Sequence, residues 1–505
     1  MKTRPIRFFH RGAVVEVSAT TPALGHAAVH TRTVLEWLRE DAHCTGTKEG
    51  CAEGDCGACT VVLGRLDAHG QLQLQPVNAC IQFLPTLDGK AIFTVEDLRA
   101  QGGALHPVQQ AMVECHGSQC GFCTPGFVMS LWACLERHQA AGTTATRQQL
   151  ADDLSGNLCR CTGYRPILDA GQRMFELPAQ PLHRDTATQA LHALQADPPL
   201  RLHDNYFAPR TLADFAALRL AHADAHVLAG GTDMGLWMTK QFRDLPRLIT
   251  INEVSELRRI EEHDGALHIG AAASLEDAWH ALAQHWPALR ELWLRFASLP
   301  IRAAGTMGGN VANGSPIGDS APALIALDAR VLLRRGERLR TLPLADFYIG
   351  YMRNQLEVGE FVQALEVPLP RAEVAARTTL RGYKISKRFD CDISAVCAVM
   401  LITLDGALDG GRVSEVRLVF GGMAAIVKRA AACEAAIAGQ PWNEATLQLA
   451  ITALASDFQP LSDMRASAHY RLQVAQNLLR RFWLESRAHN PLPPSAVNVW
   501  HREIA

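Results

Sequence analysis

The stretch "GCAEGDCGAC", Gly50–Cys59, decides how the N-terminal part of this chain folds. It places three cysteines at the spacing Cys51-x₄-Cys56-x₂-Cys59 inside a glycine-rich loop, and Cys80 follows in a later segment. Glycines allow a loop to adopt unusual backbone angles and to approach a small centre closely. The three loop thiols and the fourth from another segment therefore predict one shared metal centre.

Two kinds of centre use four cysteines, and the spacing separates them. The gap of four residues followed by a gap of two is the pattern of plant-type 2Fe–2S proteins, with Cys80 as the fourth ligand. Zinc sites favour two short Cys-x₂-Cys pairs. The spacing favours a 2Fe–2S cluster, with a zinc site as the alternative.

A second group of four cysteines follows, as Cys120-x₂-Cys123 and Cys159-x-Cys161. In an extended segment, residues i and i+2 lie on one face, so Cys159 and Cys161 can point to one centre. A disulfide between these two would close a strained ring. From the residues alone, a Cys₄ zinc site and a second 2Fe–2S cluster both remain open.

Bulk composition excludes several classes of protein. The chain has 505 residues, 48% hydrophobic content and a net charge of −2, which gives no support for nucleic-acid binding. No apolar run has the length of a signal peptide or a membrane span, so we expect a cytoplasmic protein with no membrane partner. Eleven of the 14 cysteines precede residue 165, which in a reducing compartment indicates metal or redox chemistry.

The apolar pattern divides the chain into segments. Residues 5–18 and Thr60–Leu66 read as strands, and Arg32–Glu40 reads as a helix. From about 104 to 176 the pattern is helical, with Thr124 as the expected N-cap of one helix. Residues 179–200 have the polar character of a linker, and residues 491–505 read as a tail.

Three stretches of the second half carry glycine or charge. "VLAGGTDMG", Val227–Gly235, predicts a strand entering a Gly-Gly turn whose N–H groups can face a pyrophosphate. "AAGTMGGNVANGSPIGDSAP", Ala303–Pro322, predicts a loop that wraps a large polar cofactor. "GYKISKRFDCDISAV", Gly382–Val396, reads as a solvated loop or a binding loop.

Together these motifs resemble the iron–sulfur and flavin portions of the molybdenum hydroxylase family, and within it the small subunits of bacterial xanthine dehydrogenases. The resemblance lies in "TGTKEGCAEGDCGACTVV", "QCGFCTPGFVMS", "GNLCRCTGYRPI", "GGTDMG", "GTMGGNVANGSPIGD" and "GYKISKRFDCDI". It implies an α+β multidomain chain: a plant-type ferredoxin-like β-grasp domain (1–95), a four-helix-bundle iron–sulfur domain (96–178), a linker (179–200), an α+β FAD-binding domain of the vanillyl-alcohol-oxidase-like type (201–370), a small α+β C-terminal domain (371–490) and a tail (491–505).

The resemblance also implies roles for individual residues. It gives one 2Fe–2S cluster to Cys51, Cys56, Cys59 and Cys80, and a second to Cys120, Cys123, Cys159 and Cys161, with Gln119 beside the pterin of a partner. It implies FAD contacts at Glu53, Gly54, Leu228, Ala229, Gly230, Gly231, Thr232, Asp233, Met234, Phe296, Gly305, Thr306, Gly309, Asn310, Asn313, Asp319, Phe361, Val362 and Lys384. It implies NAD⁺ contacts at Tyr351 and in the loop from Arg388 to Asp392, with Asp390 and Asp392 as the acidic residues.

The function implied by the resemblance is electron transfer. Electrons would pass from a molybdopterin-binding large subunit, which oxidises hypoxanthine and xanthine, through two 2Fe–2S clusters to FAD and on to NAD⁺. The chain itself would hold no hydroxylation site, and the assembly would contain two small and two large subunits. The alternatives are the same module in an aldehyde or N-heterocycle oxidoreductase, and a zinc-binding scaffold.

Overall fold

The computed structural model describes residues 2–19, 28–98, 103–180, 182, 184–406, 411–487 and 489–498. The fold divides into two units. The first runs to Arg258 and includes Ser274–Glu276 and Ala297–Thr306, and the second comprises Arg259–Ala273, Asp277–Phe296 and the residues from Met307 onward.

The described residues form helices and strands along the whole chain. The strands are β1 Ile6–His10, β2 Ala13–Val17, β3 Thr60–Leu66, β4 Leu72–Asn78, β5 Ala91–Phe93, β6 Arg201–Leu202, β7 Tyr206–Phe207, β8 His226–Leu228, β9 Leu248–Thr250, β10 Ile260–His263, β11 Ala266–Gly270, β12 Arg330–Arg335, β13 Arg338–Pro343, β14 Tyr348–Gly350, β15 Arg353–Asn354, β16 Phe361–Pro368, β17 Thr378–Ile385, β18 Val396–Asp405, β19 Arg412–Gly421 and β20 Lys428–Arg429. The helices are α1 Val34–Glu40, α2 Pro107–Glu114, α3 Thr124–Ala140, α4 Arg147–Asp153, α5 Arg165–Arg173, α6 Arg184–Gln195, α7 Leu212–Ala221, α8 Met234–Thr239, α9 Leu275–His285, α10 Arg290–Arg295, α11 Leu299–Ala304, α12 Met307–Asn313, α13 Ser320–Ala326, α14 Leu344–Phe347, α15 Ala372–Ala375, α16 Ala431–Ile437, α17 Glu444–Asp457, α18 Ala468–Ser486 and α19 Pro494–Val497.

The first unit begins with a mixed sheet of order β2-β1-β5-β3-β4. Strand β1 pairs with β2 antiparallel and with β5 parallel. Helix α1 starts at a capping box formed by Thr33 and Glu36, and it packs on this sheet, with the Phe8 and Trp37 rings 4.9 Å apart. The predicted β-grasp arrangement and the strand Thr60–Leu66 are confirmed.

Helices α2 to α5 form the predicted helical iron–sulfur region. Their core includes Phe127, Leu131, Trp132 and Ile167, all at most 1% exposed. One detail of the prediction is wrong, because α3 includes Thr124 and its N-cap is Cys123, which makes no side-chain capping bond. The cysteine motif therefore leads directly into the first turn of the helix.

The segment predicted as a linker contains a packed helix. Helix α6 buries Ala187, Leu191 and Leu194 against the same core as the iron–sulfur helices. The apolar residues recur at intervals of three and four, which is the helical signal that the overall polarity of the segment concealed.

The rest of the first unit is a small sheet of order β6-β7-β9-β8, in which β7, β9 and β8 run parallel. Strand β8 ends at Leu228 and α8 begins at Met234. The predicted strand-to-helix turn at Gly230 is thus present.

The second unit contains two larger antiparallel sheets. One has the order β10-β11-β16-β12-β13 and the other the order β17-β18-β19-β20. Strand β18 is buried at every position except Asp405, because one face shares a core with side chains of α16, α17 and α18 and α13 also contacts the strand.

Two predictions for the second unit need correction. The glycine-rich stretch Ala303–Pro322 is not one continuous loop, since Met307–Asn313 is helix α12. A Cβ on Gly308 would lie 2.5 Å from the Cα of Ala271, so this glycine allows a helix to pack closely. The predicted tail contains the short helix α19, and residues 499–505 lie outside the described residues.

Candidate redox sites

The first four cysteines come together at one edge of the N-terminal sheet. Cys51 and Cys56 lie in the loop between α1 and β3, Cys59 immediately precedes β3, and Cys80 follows β4 by two residues. The antiparallel pairing of β3 with β4 starts at Thr60 and Asn78, and the N–H of Ala79 donates to the carbonyl of Cys59 at 3.2 Å. The strand register therefore places Cys59 beside Cys80.

The thiols of this group contact one another. The Cys56 and Cys80 thiols donate to Cys51 and lower its pKa, whereas the same contacts, together with burial, raise the pKa values of Cys56 and Cys80. The Cys80 thiol also lowers the pKa of buried Cys59. The four sulfurs thus form one connected group.

The loop backbone supports negative charge on these sulfurs. The N–H groups of Cys56 and Glu53 point at the Cys51 sulfur, at 3.3 and 3.5 Å. A Cβ on Gly50 would lie 2.8 Å from the Cys56 sulfur, and Gly54 has φ +78°. Backbone donors around thiolates are a feature that sets the properties of iron–sulfur centres.

The second group of cysteines lies where α3 and α5 begin. The Cys161 thiol contacts Cys120, whose pKa is lowered mainly by the N–H of Phe122 and then by this thiol. Burial, followed by the Cys159 contact, raises the pKa of Cys123 to about 12. Cys120 and Cys161 are exposed and Cys159 is buried, so the group opens to solvent on one side. Gln119 is also exposed.

The loop after Cys159 adopts a strained backbone that orients this group. Tyr164 has φ +67°, and its hydroxyl oxygen accepts the N–H of Cys159 at 3.1 Å. The Cys159 sulfur accepts the N–H of Thr162 at 3.5 Å and lies 3.2 Å from its hydroxyl. A left-handed tyrosine is uncommon, and here it closes the turn around Cys159.

The two cysteine groups are joined by main-chain contacts. The N–H of Leu158 donates to the carbonyl of Cys56 at 3.0 Å. Buried Asn157 donates to the carbonyl of Gly57 at 3.1 Å and accepts from Ser130 at 2.7 Å. A Cβ on Gly126 would lie 2.2 Å from the carbonyl oxygen of Gly57. The segments that carry the two groups therefore touch backbone to backbone.

These arrangements fit a cluster with two irons. No group of three or more His, Cys, Asp or Glu side chains in the described part of the chain is placed to hold a metal ion. The thiol contacts link Cys51 with Cys56 and Cys80, and Cys80 with Cys59, in the first group, and Cys120 with Cys161 and Cys123 with Cys159 in the second. A 2Fe–2S core takes four thiolates, and these eight residues would hold two such cores.

The predicted flavin residues of the first unit form a Gly-Gly turn. A Cβ on Gly230 would lie 1.9 Å from the carbonyl oxygen of Ala304, and Gly231 has φ +74°. Among the described residues, the N–H groups of Gly230, Gly231 and Thr232 donate to no backbone carbonyl. Successive N–H groups of a tight turn can bind phosphate, so the turn fits the pyrophosphate of a dinucleotide. Leu228 is buried at the end of β8, Met234 opens α8, and Ala229 and Asp233 lie between them.

The same turn contacts the segment that carries Cys80. The side-chain amide of Gln82 donates to the carbonyl of Gly230 at 2.9 Å. A Cβ on Gly235 would lie 2.6 Å from the carbonyl oxygen of Ile81. Gly305 and Thr306, also in this unit, follow α11, and a Cβ on Gly305 would lie 3.4 Å from the Thr232 hydroxyl.

In the second unit, two of the predicted flavin residues form a buried polar group. Lys384 donates to Asp319 at 2.6 Å and to the Ser394 hydroxyl at 2.8 Å, and Ser394 donates to Asp319 at 2.6 Å. The Lys384 and Asp319 side chains are 2% and 3% exposed. Lys384 is therefore not a surface charge.

The remaining predicted flavin residues of this unit are spread over several elements. Gly309, Asn310 and Asn313 lie on α12. Phe361 and Val362 are buried at the start of β16, and the Phe296 ring lies 6.2 Å from that of Trp279.

Of the predicted NAD⁺ contacts, Tyr351 is 67% exposed beside β14. Asp390 and Asp392 lie in the loop after β17, where the N–H groups of Arg388 and Ile393 both donate to Asp392 at 2.9 Å. Burial alone would raise the pKa of Asp392, but these N–H groups lower it. The Arg295 side chain holds the loop, because it donates to the carbonyl of Phe389 at 2.9 Å and lies 4.1 Å from its ring.

Several residues of these sites were not predicted from the sequence. Asn157, Gln82, Arg295 and Ser394 make the contacts described above. Asn157 stands two residues before Cys159 and Gln82 two after Cys80, and a polar residue so near a ligand was the available signal. Ser394 likewise stands two residues after Asp392, whereas Arg295 carries no such signal, because Phe389 is distant in the sequence.

Comparison with known families supports the assignment of these regions. Residues 94–172 match the family model described as a 2Fe-2S binding domain. Residues 200–370 match the FAD binding domain in molybdopterin dehydrogenase, and residues 381–486 match the CO dehydrogenase flavoprotein C-terminal domain.

Individual relatives agree with these matches. The chain is 30% identical to a xanthine dehydrogenase of Emericella nidulans over 95% of the chain and 38% of the relative. It is 32% identical to a xanthine dehydrogenase of Drosophila subobscura over 78% of the chain and 33% of the relative. A solved carbon monoxide dehydrogenase from Hydrogenophaga pseudoflava aligns with a TM-score of 0.51 and 29% identity, covering 56% of this chain and 96% of the solved one.

The fold and the sites define an iron–sulfur flavoprotein. The chain belongs to the molybdenum hydroxylase family, as its iron–sulfur and FAD portion. It contains 2Fe–2S and FAD-binding domains and spans about 38% of the length of the Emericella relative. In the described residues, no helix is both long and apolar enough to span a membrane.

Proposed function

We propose that this chain is the electron-transfer subunit of a xanthine dehydrogenase. The observation that carries the proposal is the Leu158–Cys56 hydrogen bond, which joins the two four-cysteine groups. The relatives from Emericella nidulans and Drosophila subobscura, which cover 95% and 78% of this chain, are named xanthine dehydrogenases, which supports the substrate.

The exposure of the cysteines supports a direction for the electrons. Cys120 and Cys161 are exposed, so the second group is the accessible entry from another protein. The first group is next on the path of the electrons. Gln82, in the segment that carries Cys80, donates a hydrogen bond to the Gly230 carbonyl at 2.9 Å. Iron–sulfur clusters carry one electron at a time, and FAD accepts electrons singly and passes a hydride to NAD⁺.

The residues of this chain have distinct tasks in this scheme. The eight cysteines hold the clusters, and the loop N–H groups at Cys51 stabilise thiolate charge. The Gly-Gly turn orients the pyrophosphate of FAD, and Lys384, Asp319 and Ser394 hold the backbone of β17 near α13. Tyr351, Asp390 and Asp392 contact NAD⁺ in this proposal.

The proposal includes a partner. A large subunit would bind molybdopterin and hydroxylate hypoxanthine and xanthine to urate, and two copies of each subunit would assemble. A solved chain of a carbon monoxide dehydrogenase is covered to 96% by this chain, which supports a large subunit on a separate chain.

A second candidate is the same module serving a different molybdenum hydroxylase. The chain is 28% identical to aldehyde oxidase 4 of Cavia porcellus over 96% of its length, and a carbon monoxide dehydrogenase is among its structural relatives. In this case the same cysteines and flavin residues act, and the partner selects another substrate.

The cofactors can be tested on the purified chain. We expect FAD and about four irons per chain, because each of two clusters holds two irons. Cys120→Ser should remove one of two electron paramagnetic resonance signals, while Cys115→Ser, outside both groups, should leave both intact. A protein with zinc and no iron would overturn the proposal.

The substrate and acceptor are tested on the complex. The large subunit that co-purifies with this chain should support xanthine oxidation with NAD⁺. Oxidation of an aldehyde but not of xanthine would favour the second candidate. Activity with oxygen alone would refute the assignment of NAD⁺ as the acceptor.

A further inference from the structure

Asn78 is a buried polar side chain with no nitrogen or oxygen partner. It is the last residue of β4 and is 1% exposed. Both its Nδ2 and its Oδ1 lack a hydrogen-bond partner among the described residues. Burying an unsatisfied amide destabilises the fold, so an apolar residue would suit a purely structural role better.

The position of Asn78 in the strand places it beside the first cysteine group. In the strand register it lies opposite Thr60, the neighbour of Cys59, and it precedes Cys80 by two residues. The buried amide therefore lies between the segments that carry two of the four ligands, with no partner among the described residues.

We propose that the side-chain N–H of Asn78 donates a hydrogen bond to sulfur of the cluster held by Cys51, Cys56, Cys59 and Cys80, and thereby raises its reduction potential. The reduced cluster carries one more negative charge than the oxidised one, so a donor to sulfur stabilises the reduced form more. Asn78 is thus a positioning residue, which changes the reduction potential of the cluster without binding iron.

The inference rests on the proposed cluster ligands, and its test separates the two. Redox titration of the complete chain, followed by electron paramagnetic resonance, gives the midpoint potential of each cluster. For Asn78→Leu we expect the equilibrium constant for reduction of one cluster to fall about tenfold, which is 59 mV for one electron. The other cluster should not change. The signal that survives in Cys120→Ser identifies the affected cluster.

A matched control and a direct probe complete the test. Thr86→Val removes a buried hydroxyl of the same domain that bonds only to the Phe83 carbonyl, and it should leave both potentials unchanged. In the unsubstituted protein, ¹⁵N-labelled asparagine should couple to the spin of the reduced cluster in pulsed resonance spectra. Unchanged potential in Asn78→Leu, or no coupling from labelled asparagine, would overturn the inference. Absence of the cluster from the unsubstituted chain would instead refute the proposed ligands.

Discussion

The N–H of Leu158 donates to the carbonyl oxygen of Cys56 across 3.0 Å. Cys56 belongs to the first cysteine group, and Leu158 is bonded directly to Cys159 of the second. One hydrogen bond and a few covalent bonds therefore connect ligands of the two proposed clusters. Asn157, the residue before Leu158, holds this contact in place through Gly57 and Ser130.

Replacing Asn157 should loosen the junction of the two groups. In Asn157→Ala, the buried Ser130 hydroxyl loses its acceptor and the Gly57 carbonyl loses one of its donors. We expect the free energy of unfolding to fall by about 2–3 kcal/mol, seen as an earlier loss of cluster absorbance in urea. The dipolar coupling between the two reduced clusters should also change.

Ser130→Ala is the control for Asn157→Ala. It removes one contact of the Asn157 network and keeps the bond to Gly57, so the loss should be near 1 kcal/mol with the dipolar coupling intact. Equal effects of both substitutions on the coupling would contradict a role for the Asn157–Gly57 bond.

Gly308→Ala should destabilise the second unit. The added methyl would lie 2.5 Å from the Ala271 backbone, which forces α12 away from its neighbour at a cost of about 1–3 kcal/mol. Gly382→Ala is the matched control, because its methyl would meet only Leu side chains at 3.4 Å or more. Thermal unfolding of the two variants compares these effects. Equal melting temperatures would show that α12 can shift without cost.

Lys384→Met should leave Asp319 as a buried charge without its cationic partner, with the Ser394 hydroxyl still donating to it. Removing one partner of a buried ion pair costs about 3–5 kcal/mol, so a large fall in stability is expected. Lys387→Met is the control, since the Lys387 side chain is exposed and donates to the Met464 carbonyl. Retained FAD should fall in the first variant and not in the second. Normal stability of Lys384→Met would show that Asp319 finds another partner.

Acid should weaken the helical region through His106. Burial lowers the pKa of this histidine to about 4, and the neutral ring accepts the N–H of Val108 as the N-cap of α2. The unfolded chain binds a proton at His106 below pH about 6.5. The contribution of neutral His106 to the free energy of unfolding is therefore complete above pH about 6.5 and is lost as the pH falls toward 4. This decrease in the free energy of unfolding approaches roughly 3 kcal/mol.

The effect of His106 is measured by comparing urea unfolding at pH 7 and pH 5 with that of His106→Asn. Asparagine caps a helix without titrating in this range. The substituted protein should therefore lose less stability between the two pH values. An identical loss would assign the acid sensitivity to other groups.

The elements that depend on local pattern could be predicted from the sequence. The strand Thr60–Leu66 and the turn before α8 follow from alternation and from glycine placement. The cysteine spacing predicted which thiols lie close together, because a loop with several cysteines and its partner strand allow few other arrangements of the thiols. The helix α6 was not predicted because its three buried apolar residues stand in a segment that is polar overall.

The contacts that depend on distant partners could not be predicted. The sequence "GTMGGN" does not show whether Gly308 bends a loop or allows close packing of a helix. Only the position of Ala271 in the structure distinguishes the two roles. Lys384 resembled a surface charge because Asp319 stands 65 positions away. Asn78 gave no signal at all, since an unpaired amide can be recognised only in three dimensions.

The close approach of Gly126 to the Gly57 carbonyl has a consequence for how this chain can be tuned. The main-chain atoms of the two segments meet with no side chain between them. A change of side-chain rotamer therefore cannot alter the distance between the segments. Changes of side chain away from this contact and from Asn157 can shift the potential of either centre, while the gap that an electron crosses between the centres stays constant. Such variants should therefore differ in driving force and share one distance.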